Sequence, residues 1–278
     1  MSGLLKADFR RILKDKLLIV MGILAVGFAA LTPVLYAIIF STTEVIEDEL
    51  TMGMLSGYIS GKNQFFASFS IGNNLGLIAP ILLAIVLCKD FSYGTIRNKI
   101  IAGKSRSAIF LSLFITCSVV LIAVMMFHAF ATLGFSLIFF DYQSTPFTVA
   151  DFWYLIASLG FEILALLFVS ALLSWLCATR KNVGLVIVLY VAISFALVMA
   201  GSILQVVINV MDAAGVTGNI VKVLRFIDRI NVGNSAAYIG MGTSYSMEDV
   251  LYLTIPACVG ILGFLGMGLL KFNKKDLK

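Results

Sequence analysis

KDFSYGTIRNKIIAGKSRS, residues Lys89–Ser107, decides how the chain is read. It is a short basic insert between two long apolar runs. It carries five of the twenty Lys and Arg: Lys89, Arg97, Lys99, Lys104 and Arg106. Its order is an acid, Phe, two residues, Gly-Thr, and then a mixed basic and apolar run of helical character. The apolar runs on either side give the fold class. The chain has 278 residues, 60% hydrophobic and only 13% charged. About a quarter of residues are charged in a soluble domain. Several apolar runs exceed the roughly 18 residues that mark a spanning helix. The reading is an all-α membrane protein with a single membrane domain over residues 1–278. The hydrophilic stretches are too short to build a core of their own.

Outward from the insert, six spans follow from the apolar runs: about 17–40, 65–88, 108–140, 152–178, 183–208 and 248–270. Pro33 is expected to kink the first, and Pro80 lies near the middle of the second. The third is longer than about 20 residues, so it tilts or protrudes. Residues 1–16 form an amphipathic interfacial helix, with Leu5, Phe9, Ile12 and Leu13 apolar and Lys6, Arg10, Arg11, Lys14 and Lys16 on the other faces. The first apolar run is too long for a cleavable signal peptide and is expected to stay as a span. The loop 41–64 is acidic, with Glu44, Glu47, Asp48 and Glu49. A short loop with Asp141, Pro146 and Asp151 follows span 3, and Arg180 and Lys181 make a tight basic turn after span 4. The long loop 209–247 contains a second amphipathic helix near 217–230, with Ile220, Val223, Leu224 and Ile227 apolar. That helix either caps the bundle as a lid or meets an anionic lipid or an exported ligand.

Charge sets the orientation. With the N-terminus in the cytosol, sixteen of the twenty Lys and Arg fall in the cytosolic segments 1–16, 89–107, 179–182 and 271–278. Ten of the fifteen acids fall outside. This is the positive-inside pattern, N-in and C-in, in a cell membrane of bacterial type. The basic balance is therefore an orientation signal, and no nucleic-acid partner is implied.

Few residues could carry chemistry. The one histidine, His128, rules out a multi-histidine metal site, and Glu162 is the only acid deep in a span. No catalytic set is present, so the chain is not read as an enzyme. Gly103-Lys104-Ser105 resembles the end of a P-loop, but the required first glycine is replaced by Asn98, and no strand precedes it. Cys88, Cys117, Cys177 and Cys258 have neither zinc nor redox spacing and read as buried thiols. Glu162 and His128 lie at similar depth in consecutive spans. They are expected to form an intramembrane polar pair, fixing helix register or taking part in substrate or proton movement. Asn73 and Asn74 in span 2, with Ser194, Ser202 and Gln205 in span 5, line a translocation path or act as packing glue. Gly260, Gly263, Gly266 and Gly268 are expected to let span 6 pack closely.

Six spans, a basic N-terminal helix and the insert after span 2 resemble an ABC-2-type transporter permease. The specific likeness is Asp90-Phe91-Ser92-Tyr93-Gly94-Thr95, then Arg97 and Lys99, then Ser105-Arg106. The family often shows Glu where Asp90 stands, and a proline where Gly103-Lys104 precedes Ser-Arg. The resemblance implies a subunit that dimerises with a second permease chain, identical or paralogous, and docks on separate ABC ATPase subunits. The insert would be the coupling helix. Asp90, Phe91, Tyr93, Gly94, Thr95, Ile96, Arg97, Lys99 and Arg106 would meet the ATPase, with Arg10 and Arg11 beside them. Gly94 would supply the turn and Thr95 the cap. ATP and magnesium would bind the partner, and this chain would hold no cofactor or metal. The compact size and the long outer loop look like permeases that export antimicrobial peptides or other amphipathic compounds among membrane lipids. The alternative is a non-transporting receptor or assembly factor whose cytosolic loop binds a partner.

Overall fold

A computed structural model gives the fold and describes residues 2–42, 60–73, 75–140, 147–180, 182–216, 218–242 and 244–274. Glu44, Glu47, Asp48, Glu49, Asn74, Asp141, Pro146, Lys181 and the end of the basic tail lie outside the described residues. Among the described residues the chain is all α-helix, without a strand. The helices are α1 (Ser2–Leu13), α2 (Lys16–Thr42), α3 (Gly61–Ala67), α4 (Ile78–Ser92), α5 (Thr95–Ile101), α6 (Arg106–Phe139), α7 (Val149–Thr179), α8 (Val183–Ala213), α9 (Asn219–Ile230), α10 (Val232–Ser235) and α11 (Met247–Lys274). A 3-10 turn, Ala236–Tyr238, follows α10.

Among the described residues five helices, α2, α6, α7, α8 and α11, are long and apolar enough to cross a membrane, and α4 with α5 reaches that mark only as a pair bent by 51°. Spans 1, 3, 4, 5 and 6 are therefore single helices close to their expected bounds. Span 2 is different. Residues 65–88 are not one helix: α3 ends at Ala67, residues 68–73 and 75–77 turn or bend, and α4 begins at Ile78. At 1.5 Å per residue the 15-residue α4 covers about 22 Å, less than the roughly 30 Å apolar core of a bilayer. Gly72, Asn73 and Gly76 favour the turns. Pro80 falls in the first turn of α4, where a missing N–H costs nothing, and not at mid-span.

Broken backbone at membrane depth is tolerated only where protein covers it. Here the outer loop supplies the cover. The Ile71 N–H donates to the Ala236 carbonyl at 3.3 Å. The Ser70 hydroxyl donates to the Ala237 carbonyl at 2.6 Å and accepts from the Gly72 N–H at 3.2 Å. Phe65, Phe66 and Phe69 are buried with Tyr154, Ala236 and Ile239 in one apolar cluster. Gly240, at φ 76°, lies so close to the Phe66 carbonyl that a Cβ there would collide with it.

The main core surrounds α6, which packs against α1, α2, α3, α4, α7 and α11. Its buried residues include Ile109, Phe110, Leu113, Cys117 and Leu121. α7 and α11 pair along their length. Gly260 meets the Phe168 ring and Gly268 the Phe110 ring, whereas Gly263 and Gly266 face open space. Only two of the four glycines of α11 therefore serve close packing. Cys88, Cys117 and Cys177 are buried free thiols, and the Cys88 and Cys177 sulfurs are 3.4 Å apart.

The basic segments meet at one end of the bundle. Lys89 binds Asp15, Lys99 binds Asp8, and the Arg106 guanidinium donates to the Asn273 carbonyl at 2.8 Å. Arg180 and Lys271 line a common pocket there. The opposite end holds Lys62–Asp151, Arg225–Asp212 and Arg229–Glu248, at 2.6, 2.7 and 2.6 Å.

Candidate functional site at the basic end

α5 is seven residues long and is framed by two left-handed glycines, Gly94 (φ 70°) and Gly103 (φ 78°). Gly94 occupies the N-cap position and its carbonyl accepts from the Asn98 N–H at 3.0 Å. Thr95 is the first helical residue and caps nothing, which corrects the expected role of its hydroxyl. After Gly103 the chain turns directly into α6, where the Ser105 hydroxyl accepts from the Ala108 N–H at 3.3 Å.

This geometry sorts the insert into two faces. Tyr93 is 78% exposed and Ile101 74%, and Arg97, Asn98 and Lys104 are also exposed. Asp90 and Ile96 are only 1% and 2% exposed. Asp90 is therefore turned inward, not placed to meet a partner as the resemblance implied it would be. It ion-pairs with Arg11 of α1, and its second oxygen lies 3.5 Å from the Lys99 Nζ. Lys99 also donates to Asp8 at 2.6 Å, and the other Asp8 oxygen accepts from the Ser112 hydroxyl at 2.6 Å. Beside this, Lys89 donates to Asp15 at 2.8 Å. Three acids and three bases thus neutralise one another between α1, α4, α5 and α6. Buried charges persist only when paired in this way.

Of the residues expected to face a partner, Tyr93, Arg97 and Arg10 point outward. Gly94 and Thr95 are half-buried. Asp90, Ile96, Lys99 and Arg11 are committed inward, Phe91 packs edge-on against Phe272, and Arg106 holds the end of α11. Burial lowers the Arg11 and Lys99 pKa values, and the Asp8 charge opposes this for both. Burial alone would raise Asp15, but bonds from Lys89 and the Leu17 N–H outweigh it and leave the carboxyl below its usual value. A groove of about 310 Å³ lies against the cluster, lined by Arg11, Asp15, Lys89, Tyr93 and Thr95 among others.

Asp8, Asp15, Ser112 and Asn273 were not anticipated. The available signal was Asp8 itself, four residues from both Leu4 and Ile12. These three form the buried face of α1, and Leu13, expected on that face, is 67% exposed. An acid inside an apolar stripe marks a buried ion pair.

The other polar residues are scattered. Among the described residues neither ring nitrogen of His128 has a hydrogen-bond partner, so the expected pair with Glu162 is not formed. His128 lines a cavity of about 170 Å³ with Thr32, Tyr36, Gln64 and Thr132, on the side of α6 that faces α2 and α3. Ala129, one residue on and about 100° round the helix, is the residue that clusters with α7 side chains. Glu162 is buried on α7, 4% exposed. Asn73 lines the same cavity as His128, while Gln205 accepts from the Tyr238 hydroxyl at 2.7 Å at the end opposite the basic cluster. Ser202 is exposed on α8 and bonds its own backbone, and Ser194 is half-buried. Asn73 and Gln205 thus line separate cavities. In α9, Ile220, Val223 and Ile227 are exposed, and its packed face is Val221, Leu224 and Asp228.

The chain matches no known family model, and the comparison with curated proteins finds no match.

Proposed function

We propose that the chain is the membrane subunit of an ATP-driven exporter, working as a dimer docked on separate ATPase subunits. The observation that carries this reading is the two-faced α5. Its inner face is ion-paired to α1 and packed on α6, and its outer face leaves Tyr93, Arg97, Ile101 and Lys104 uncovered. A short rigid lever with an exposed aromatic and basic face, tied to the longest span, suits transmission of a partner's movement into the bundle. The aromatic anchor and Arg resemble the residues that dominate protein contacts. ATP and magnesium would sit on the partner, whose hydrolysis would shift α5 and α1 together and bias the bundle between two states. The substrate class we favour is an amphipathic compound such as an antimicrobial peptide, moved from the cell or membrane.

The test is co-purification from the native membrane with a nucleotide-hydrolysing subunit. Arg97→Glu reverses an exposed charge and is expected to abolish co-purification while leaving the melting temperature unchanged. Gly94→Pro forbids the positive φ and is expected to abolish co-purification by misaiming α5, with a lower melting temperature as well. An isolated chain that moves substrate without any ATPase would sink the reading. Binding of a partner without substrate-stimulated hydrolysis would favour a receptor or assembly factor instead.

A further inference from the structure

A cavity of about 440 Å³ opens at the end of the bundle opposite the basic cluster. That volume is in the range of small-molecule sites. Its walls come from α7, α8, α9, the 3-10 turn and the start of α11. Tyr154, Tyr238, Tyr245 and Tyr252 line it, together with Asp228 and Asp249.

The aromatic walls are held in place. The Tyr154 hydroxyl accepts from the Gly242 N–H at 2.8 Å, and that of Tyr245 accepts from the Gly240 N–H at 2.9 Å. Tyr245 is also bonded to the Ser158 hydroxyl at 2.8 Å, and Tyr154 and Tyr245 stack at 4.9 Å. Tyr238 is fixed by its bond to Gln205. Pre-set walls reduce the ordering cost of binding.

The charges in the cavity do not cancel. Among the described residues its one lining cation is Arg229, which is engaged by Glu248 at 2.6 Å. The same guanidinium lies over the Tyr252 ring, 5.3 Å from its centroid, so a ring face in this cavity already takes a cation. The Arg229 charge acts on its neighbour Asp228 through space without a salt bridge among the described residues, and Gln205 also bonds that carboxylate. The half-buried Asp228 carboxylate accepts from the Asn234 amide at 2.7 Å, but among the described residues it has no ion pair. A partly desolvated carboxylate beside aromatic faces selects a positive charge with an apolar surround. Among the described residues no cluster of acids, His or Cys could hold a metal ion. An inorganic cation would also gain little from the rings.

We propose that this cavity binds an organic cation, an ammonium or guanidinium carried on an apolar body, with Asp228 as counter-ion and the tyrosine faces as walls. The assignment is independent of transport, because it concerns equilibrium binding by the chain alone. The same chemistry is offered by a basic peptide side chain and by a choline headgroup.

The experiment is calorimetric titration of the full chain in uncharged maltoside micelles with choline, and with 3,3-dimethylbutanol, its uncharged isostere. Choline is expected to bind at one site per chain, about tenfold or more tighter than the isostere. Asp228→Asn is expected to remove that preference, and Tyr252→Leu to weaken binding several-fold. Lys222→Ala, on the exposed side of α9, should leave it unchanged. The comparison of ligands on the unaltered chain stands even if a variant fails to fold. Equal affinity for choline and the isostere, or full affinity in a folded Asp228→Asn chain, would overturn the proposal. Displacement of choline by a lysine-rich amphipathic peptide supports it with a peptide as occupant, and displacement by phosphatidylcholine supports it with a lipid. Displacement by neither counts against it.

Discussion

The Lys99 ammonium lies 2.6 Å from Asp8, joining α5 to a helix whose carboxylate stands ninety-one residues earlier in the chain. The same Asp8 takes the Ser112 hydroxyl of the longest span. One buried carboxylate therefore connects α1, α5 and α6.

This connection predicts a separation of effects. Asp8→Asn leaves the Lys99 charge with only the longer Asp90 contact and is expected to cost about 3 kcal/mol, the range for breaking one side of a buried pair. Arg97→Ala, on the exposed face two residues away, is expected to change stability by less than about 0.5 kcal/mol. Denaturant unfolding in micelles measures both. Equal costs would show that the two faces of α5 are not distinct.

Packing gives a second contrast on one helix. A Cβ at Gly268 meets the ring of Phe110, which is fully buried and packed against Phe272, so it has nowhere to swing. Gly268→Val is expected to destabilise by about 1–3 kcal/mol through overpacking. Gly263 faces open space, so Gly263→Ala should be neutral or stabilise by up to about 1 kcal/mol from helix propensity. The reverse order of melting temperatures would contradict the α11 packing described above.

Much of this architecture was legible in the sequence, because single-helix spans need only a long apolar run. Charge sorting likewise anticipated which segments gather at each end. The break in span 2 was hidden, since residues 65–88 are apolar enough to pass as one helix. What breaks it is tertiary: carbonyls of the 3-10 turn Ala236–Tyr238 accept from the Ser70 hydroxyl and from the Ile71 N–H, which would otherwise be left unpaired. The inward role of Asp90 was hidden for a similar reason, because its partner Arg11 lies on a helix whose rotation hydrophobic spacing alone left ambiguous. His128 and Glu162 were matched by depth, but depth says nothing of the angle round the helix.

The Lys89–Asp15 pair predicts a pH dependence. The Asp15 carboxyl is held below its ordinary value of 3.8. A depressed acid contributes stability that is present above the unfolded value and is lost as pH falls through the folded one. The wild-type chain is thus expected to melt above Lys89→Met at neutral pH, with the gap closing below about pH 4. Melting curves from neutral pH down to about pH 3 test this. A gap that widens on acidification would mean that the pair is not what Lys89 contributes.

His128 yields the sharpest test of the bundle's interior. Its ring is only 2% exposed, yet neither nitrogen has a protein partner among the described residues. A buried polar group without a partner costs about 1–3 kcal/mol, and an apolar replacement of similar shape removes that cost. The adjoining cavity of about 170 Å³ leaves room for the slightly larger ring of phenylalanine. His128→Phe is therefore expected to fold with equal or greater stability, whereas His128→Ala should lose about 2 kcal/mol or more from the enlarged void. Thermal unfolding of the two variants in micelles decides the matter. If Phe destabilises as much as Ala, the imidazole earns its place through a polar contact in that cavity, and the ring is not a passive filler between α2, α3 and α6.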